Sequence, residues 1–314
     1  MSSGNRDVPD KCYLCGRPES RQVLSLPVPG WETPFRLWRC PSCRLEFIWP
    51  LPPLGPALNL YDESYYRNGY VAFEAPRRAR FRMLLDRLRG QGAVGPLLDI
   101  GAGVGLLVDA AQKEGWTAEG MEPSPDACRL ACDLYGVELQ QTEITAVDPQ
   151  PIFGVVVLWH VLAHTADPRE VLRQAAKMLR PAGLLVMSFV NWNDPHYQLG
   201  MLLARWKHAN AIHVPAILRH FREEHLHALA QQAGLHIETV NYEHCTCRPS
   251  PGWKRNLLEL GFEVYRKATR TSEEMEVWCR RTEPQSASYC ASQPIRSHAQ
   301  AAVANQRPPA TPPT

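Results

Sequence analysis

The 314-residue chain has no run of 18 uncharged apolar residues, so a membrane-spanning helix is not expected. Residues 1–10 are polar and hold no apolar h-region, so no secretory signal is expected and a cytoplasmic protein is the expectation. Charge of one sign is lacking as well. The 34 basic and 32 acidic residues leave a net +2, which gives no overall footprint for nucleic acid or an anionic membrane. A last absence is local: the dinucleotide fingerprint G-x-G-x-x-G would need a third glycine at position 106, and Leu106 stands there.

What the chain does have is 45% hydrophobic residues and enough length for about two domains. Its central stretch is Leu97-Leu98-Asp99-Ile100-Gly101-Ala102-Gly103-Val104-Gly105, followed by an apolar run with helical character from Leu106. This reads as strand, tight loop and helix. Glycines in such a turn permit positive φ and close approach of a ligand, while the helix start offers unpaired N–H groups. Asp99 ends the strand where a pyrophosphate would be repelled and a cationic ligand attracted. A second strand closes on Glu122, well placed to accept hydrogen bonds from ribose hydroxyls.

Ten cysteines in a chain without a leader point to metal or free thiols rather than disulfides. Cys12-Tyr13-Leu14-Cys15 and Cys40-Pro41-Ser42-Cys43 are two C-x-x-C knuckles. A two-residue spacer lets both thiolates of a knuckle face one ion, and two knuckles complete the tetrahedral Cys₄ shell that Zn²⁺ prefers. With no ligand position open, the metal is expected to be structural. Short alternating strands at 22–26, 35–40 and 45–49 make this a zinc ribbon; a redox pair or an iron–sulfur cluster is the alternative. Cys128 and Cys132 read as core thiols, and Cys245 and Cys247 as free.

The Asp99–glycine loop and Glu122 together resemble the first two motifs of class I S-adenosylmethionine-dependent methyltransferases. The resemblance implies that Asp99, Gly101 and Gly103 contact the methionine part of the cofactor and Glu122 its ribose. It implies a doubly wound, Rossmann-like sheet of seven strands with helices on both faces, with strands at 97–100, 117–121 and about 137–140. Glu143 follows the third strand, where relatives contact adenine. The fourth strand runs from Gly154 to Trp159, and its carboxyl end turns Trp159 and His160 toward the crevice. Three departures stand out: Gly154 in place of an acid, Ala163 in place of a glutamate, and Ala182 in place of the first glycine of a Pro-Gly-Gly turn. The sheet closes with strands at 235–240 and 274–279, the latter placed antiparallel at the edge by the resemblance. His160 and His164 stand four apart, like the metal pair of H-E-x-x-H without its glutamate, and read rather as residues packed near the cofactor.

The ribbon, the proline-rich stretch at 50–56 and the tyrosines of 61–70 also resemble one subgroup of bacterial-type methyltransferases, in which Tyr65 or Tyr66 would cover the cofactor. The expected organisation is a zinc ribbon at 1–50, a linker and covering segment at 51–76, a methyltransferase domain at 77–282 with a substrate-side insertion at 191–220, and a disordered tail at 283–314. The expected activity is methyl transfer to a small-molecule acceptor, a sugar or secondary-metabolite intermediate, with His160, His213 or His220 as the base. The alternatives are a non-catalytic cofactor-fold protein using its ribbon to bind protein or nucleic acid and, further off, an NAD-dependent oxidoreductase.

Overall fold

A computed structural model describes residues 9–53, 60–204, 213–243, 253–269 and 271–281. Three strands, β1 (Arg21–Leu26) and β2 (Phe35–Arg39) between the cysteine knuckles and β3 (Glu46–Trp49) after the second, form an antiparallel meander. Then α1 (Glu63–Gly69) starts at Asp62, whose carboxylate caps the Tyr65 amide. It leads through a 3₁₀ turn into α2 (Glu74–Gly90). Phe81, Leu84, Leu85 and Leu88 form the buried stripe of α2, at the helical spacing expected of an amphipathic segment.

The main sheet is built from β4 (Leu97–Ile100), β5 (Ala118–Met121), β6 (Phe153–Trp159), β7 (Leu179–Val190), β9 (Leu235–Glu243) and β10 (Glu274–Arg281), in the order β5-β4-β6-β7-β10-β9. The first four are parallel, and β10 runs antiparallel to both neighbours. Helices α3 (Leu106–Lys113) and α4 (Pro125–Tyr135) join α2 over one core. On the other core lie α5 (Pro168–Met178) and α7 (Glu223–Gln232). Covered by helices on both sides, β6 is an unbroken apolar run rather than an alternating one.

Two expectations are corrected. The sheet has six strands among the described residues, not seven, because the segment at 137–140 makes one parallel bridge, Met121 to Gln140. Gln140 makes two backbone hydrogen bonds to Gly120 and Glu122, and the 3₁₀ turn Ile144–Ala146 then carries the chain away. Strand β10 is also interior rather than an edge; β9 takes the edge beside it.

The stretch 191–220 holds α6 (Pro195–Ala204) and the two-residue strand β8 (Arg219–His220). The strand β8 pairs with β3, so the ribbon's sheet takes its fourth strand from this distant segment. Helix α8 (Trp253–Thr269) is fastened by Arg266, which makes a bidentate ion pair with buried Asp194 and a further bond to Glu273. No helix of the described residues is long and apolar enough to cross a membrane. Cys245, Cys247, His208 and the tail at 283–314 lie outside the described residues.

Candidate active site

The site begins at the carboxyl ends of β4 and β5. Asp99 is 3% exposed, and its Oδ1 has no hydrogen-bond partner. Burial pushes its carboxyl well above the usual carboxylate range, and the nearby charge of Glu122 adds to the shift. Glu122 accepts the backbone N–H of Gly103 on one oxygen and that of Ser124 on the other, both at 2.9 Å. Its pKa is raised by burial, against the pull of the Ser124 and Gly103 amides and the Tyr66 hydroxyl. Gly101 has φ +69°, and a Cβ there would lie 2.7 Å from a methyl of Val161. Any side chain would be strained and would crowd the loop that approaches the ligand.

The tyrosine segment lies over this loop. The Tyr66 hydroxyl stands 3.5 Å from Glu122, and the rings of Tyr66 and Tyr70 face Gly103. Ring centroids 5.1–5.8 Å apart link Tyr61, Tyr65, Tyr66 and Tyr70 into one aromatic cover. Glu143, in contrast, is exposed, and its carboxylate accepts the Thr145 hydroxyl. The structure does not bring it into contact with Asp99 or Glu122.

Next to the tyrosine cover opens a cavity of about 350 Å³, with Trp159, His160 and His213 in its wall. The Trp159 ring meets Phe81 edge-on, with centroids 5.5 Å apart. His160 is not on a helix: its backbone is left-handed, φ 56°, in the turn after β6. This turn points its Nε2 at Glu274 Oε1 and Ser188 Oγ, each 3.4 Å away. His164, in the 3₁₀ turn Leu162–His164, places Nδ1 2.9 Å from the Ala216 carbonyl and 3.0 Å from the Tyr61 hydroxyl. Burial lowers its pKa to about 4, so it stays neutral and structural.

His220 lies elsewhere. It is 2% exposed in β8, stacked on Trp192 with centroids 3.8 Å apart, and its Nε2 has no partner. Burial lowers its pKa to about 3. Of the three histidines expected as a base, the structure brings His160 and His213 to the cavity and leaves His220 in the ribbon interface. Sequence reasoning missed Arg77, Glu274 and Ser188, which reach the same neighbourhood from α2, β10 and β7.

The four sulfurs of Cys12, Cys15, Cys40 and Cys43 all lie within 4.8 Å of one another, with Cys12–Cys43 at 3.6 Å and Cys15–Cys40 at 3.5 Å. A tetrahedron with metal–sulfur arms of about 2.3 Å has edges of about 3.8 Å, so the cluster fits a zinc ribbon. The knuckles are tied to the large domain: His225 Nε2 donates to the Cys43 carbonyl at 2.8 Å, and Arg222 Nη1 to that of Arg44 at 2.8 Å.

Comparison with known proteins agrees with this geometry. Residues 73–240 match the Methyltransferase domain family. The chain is 30% identical over 161 residues to a ubiquinone biosynthesis O-methyltransferase of Bradyrhizobium diazoefficiens, covering 49% of this chain and 62% of that one. It is 32% identical over 116 residues to the protein of the same name in Cereibacter sphaeroides, covering 35% and 47%. The chain thus spans about half to three-fifths of the length of these curated relatives. In fold it is similar to a SAM-dependent methyltransferase from Archaeoglobus fulgidus, with TM-score 0.50, 16% identity, and coverage of 68% of this chain and 99% of that one. The chain belongs to the methyltransferase domain family.

Proposed function

We propose that the chain transfers a methyl group from S-adenosylmethionine to an oxygen of a small-molecule acceptor. The observation that carries this reading is the orphaned, buried Oδ1 of Asp99 beside the Gly103–Glu122 pair. An unpaired carboxylate in such a place is costly unless a ligand completes it, and the ammonium of the cofactor's amino-acid part is a fitting partner. Glu122 would receive the ribose hydroxyls, and Tyr66 and Tyr70 would cover the bound molecule. The acceptor is drawn from hydroxylated small molecules, with an aromatic ring suiting the Trp159 and tyrosine walls and a sugar or secondary-metabolite intermediate as the other class. The curated relatives, named for an O-methylation, support the choice of oxygen.

When bound, the cofactor supplies an electrophilic methyl group. The chain's own part is to orient the acceptor oxygen and exclude water, which is worth roughly 7–11 kcal/mol in well-aligned systems. His160 then takes the acceptor's proton on Nε2, where Glu274 stabilises the imidazolium, a contribution of about 10²–10⁴-fold. His213 is the second candidate. In the ribbon, Cys12, Cys15, Cys40 and Cys43 hold a structural Zn²⁺.

The test is the thermal shift of the protein with S-adenosylmethionine, S-adenosylhomocysteine and NAD, beside Glu122→Ala. A ligand at about 100 times its dissociation constant stabilises by roughly 2.7 kcal/mol. A shift with both sulfur compounds that vanishes in the variant supports the proposal, and a shift with NAD alone refutes it.

A further inference from the structure

Helix α2 is rich in arginine, and its arginines differ in one respect. Arg78 pairs with Glu74 and Asp109, Arg80 and Arg87 each with Glu243 and Glu276, and Arg89 with Asp86 and Glu114. Exposed Arg82 has no carboxylate partner among the described residues, and neither has the half-buried Arg77. Its Nη2 donates to the Gly69 carbonyl at 3.0 Å, and its guanidinium lies over the Tyr70 ring, 4.1 Å from the centroid. Its Nε is buried with no hydrogen-bond partner at all.

Arg77 stands in the wall of the cavity that His160 and Trp159 also line. The wall contains two arginines and three histidines against a single carboxylate, Glu274, which faces His160. Arg80 is already neutralised by two glutamates, so the uncompensated positive charge is that of Arg77. A guanidinium kept half-buried without a counter-charge, and with a donor left over, is built to receive an oxyanion in fork geometry.

We propose that Arg77 is an acceptor-binding residue and that the acceptor carries an oxyanion, a carboxylate or a phosphate, in addition to the group to be methylated. This rests on the methyltransferase reading. Tyr70 sets the placement, because its ring lies under the Arg77 guanidinium and also faces Gly103, where a Cβ would stand 3.5 Å from it. The anion is therefore bound beside the methyl donor. Specificity follows from a desolvation difference: a neutral analogue leaves the Arg77 donors unpaired in the filled cavity, and unpaired buried donors discriminate far more strongly than a missing methylene.

The experiment is calorimetric titration of the full chain, with and without S-adenosylhomocysteine, using two matched pairs of probes. These are 3,4-dihydroxybenzoate against its methyl ester, and phenyl phosphate against phenol. The expected result is that the wild-type protein holds at least one acid tenfold or more tightly than its neutral partner. Arg77→Gln reduces that preference below threefold, Arg77→Lys retains part of it, and S-adenosylhomocysteine binds all three proteins within twofold. Absence of any acid preference in the wild-type protein overturns the proposal, whether both members of a pair bind alike or neither binds; this arm needs no variant to fold. A preference that survives Arg77→Gln overturns it too. So does a loss of S-adenosylhomocysteine affinity that its decarboxylated analogue does not share, since the guanidinium would then serve the cofactor's own carboxylate. An acid preference that depends on Arg77 in a protein that binds no S-adenosylhomocysteine would support the anion site and sink the methyltransferase reading.

Discussion

Gly103 donates its amide proton to the carboxylate of Glu122 at 2.9 Å, so the loop after β4 is tied to the end of β5 before any ligand is held. One carboxylate thus shapes the loop and offers itself to the ribose.

Replacing Glu122 by alanine should therefore cost binding in two ways, by losing the hydroxyl acceptor and by freeing the loop. Buried hydrogen bonds to charged groups are worth about 1.5–3 kcal/mol each, so S-adenosylhomocysteine should bind at least tenfold more weakly. Isothermal titration reads this directly, and unchanged affinity would remove Glu122 from the site.

Asp99 predicts an opposite effect on stability. Its carboxyl is raised in the folded state, so the native protein holds a proton that the unfolded chain releases at lower pH. As pH rises from the ordinary carboxylate range through the folded value, this group withdraws stability. Asp99→Asn should raise the melting temperature of the ligand-free protein at pH 8, by an amount equivalent to about 1–3 kcal/mol, with the gain shrinking toward pH 4. The same variant should lose its thermal response to S-adenosylmethionine. A melting temperature lower than wild type at pH 8 would contradict this assignment.

His220 gives the acid-side counterpart. Its pKa is lowered to about 3 by burial, below the ordinary histidine value, so the unfolded chain takes up a proton that the native state refuses. Stability is lost as pH falls below about 6.5, at up to about 1.4 kcal/mol per pH unit for one group. His220→Phe keeps the stacking on Trp192 and should flatten the melting temperature between pH 6 and 4. Turnover should persist, because the side chain lies outside the cavity; loss of turnover in a folded His220→Phe protein would restore it as a candidate base.

Backbone geometry gives two of the family-motif departures opposite effects on stability. At Gly154 a Cβ would stand 1.8 Å from the Val94 carbonyl oxygen, so the acid usual in relatives cannot fit and Gly154→Ala should destabilise by about 3 kcal/mol or more. Ala182 adopts φ 60°, where glycine is at ease, and Ala182→Gly should stabilise by about 1 kcal/mol. Chemical denaturation of both variants checks the pair of signs.

Chelation of the ribbon metal should propagate. The segment at 213–220 lines the cavity with His213, Ala216 and Ile217, and it is held by the Ile48 amide on the Leu218 carbonyl at 2.9 Å and by the pairing of β3 with β8. Structural zinc contributes on the order of 10–16 kcal/mol in small metal peptides, so its removal should unfold the ribbon. The expected signature is altered Trp192 fluorescence and weaker acceptor binding while S-adenosylhomocysteine still binds. Equal loss of both ligands would show that the ribbon supports the whole fold instead.

The elements that could be read from the chain were those whose pattern is local. The strand–glycine loop at 97–105 and the two knuckles each announce themselves within a few residues. The segment at 137–140 misled because its alternation suits a strand, whereas pairing is decided by where the following turn takes the chain. Arg77 was invisible for a different reason. It stands among chemically identical arginines, and only the fold places it, without a carboxylate partner, in the cavity wall. The pairing of Glu274 with His160 likewise joins residues more than a hundred positions apart, which no spacing rule spans.

The fourth strand of the ribbon has a consequence for how the molecule is made. About 170 residues separate β3 from β8, and synthesis at about 5–20 residues per second takes roughly ten to thirty seconds to cross that gap. Throughout that interval the nascent ribbon presents the open edge of β3, with its cysteines already outside the ribosome. Metal capture is thus available long before sheet closure. The ribbon is among the earlier parts to be made and is completed only when β8 follows.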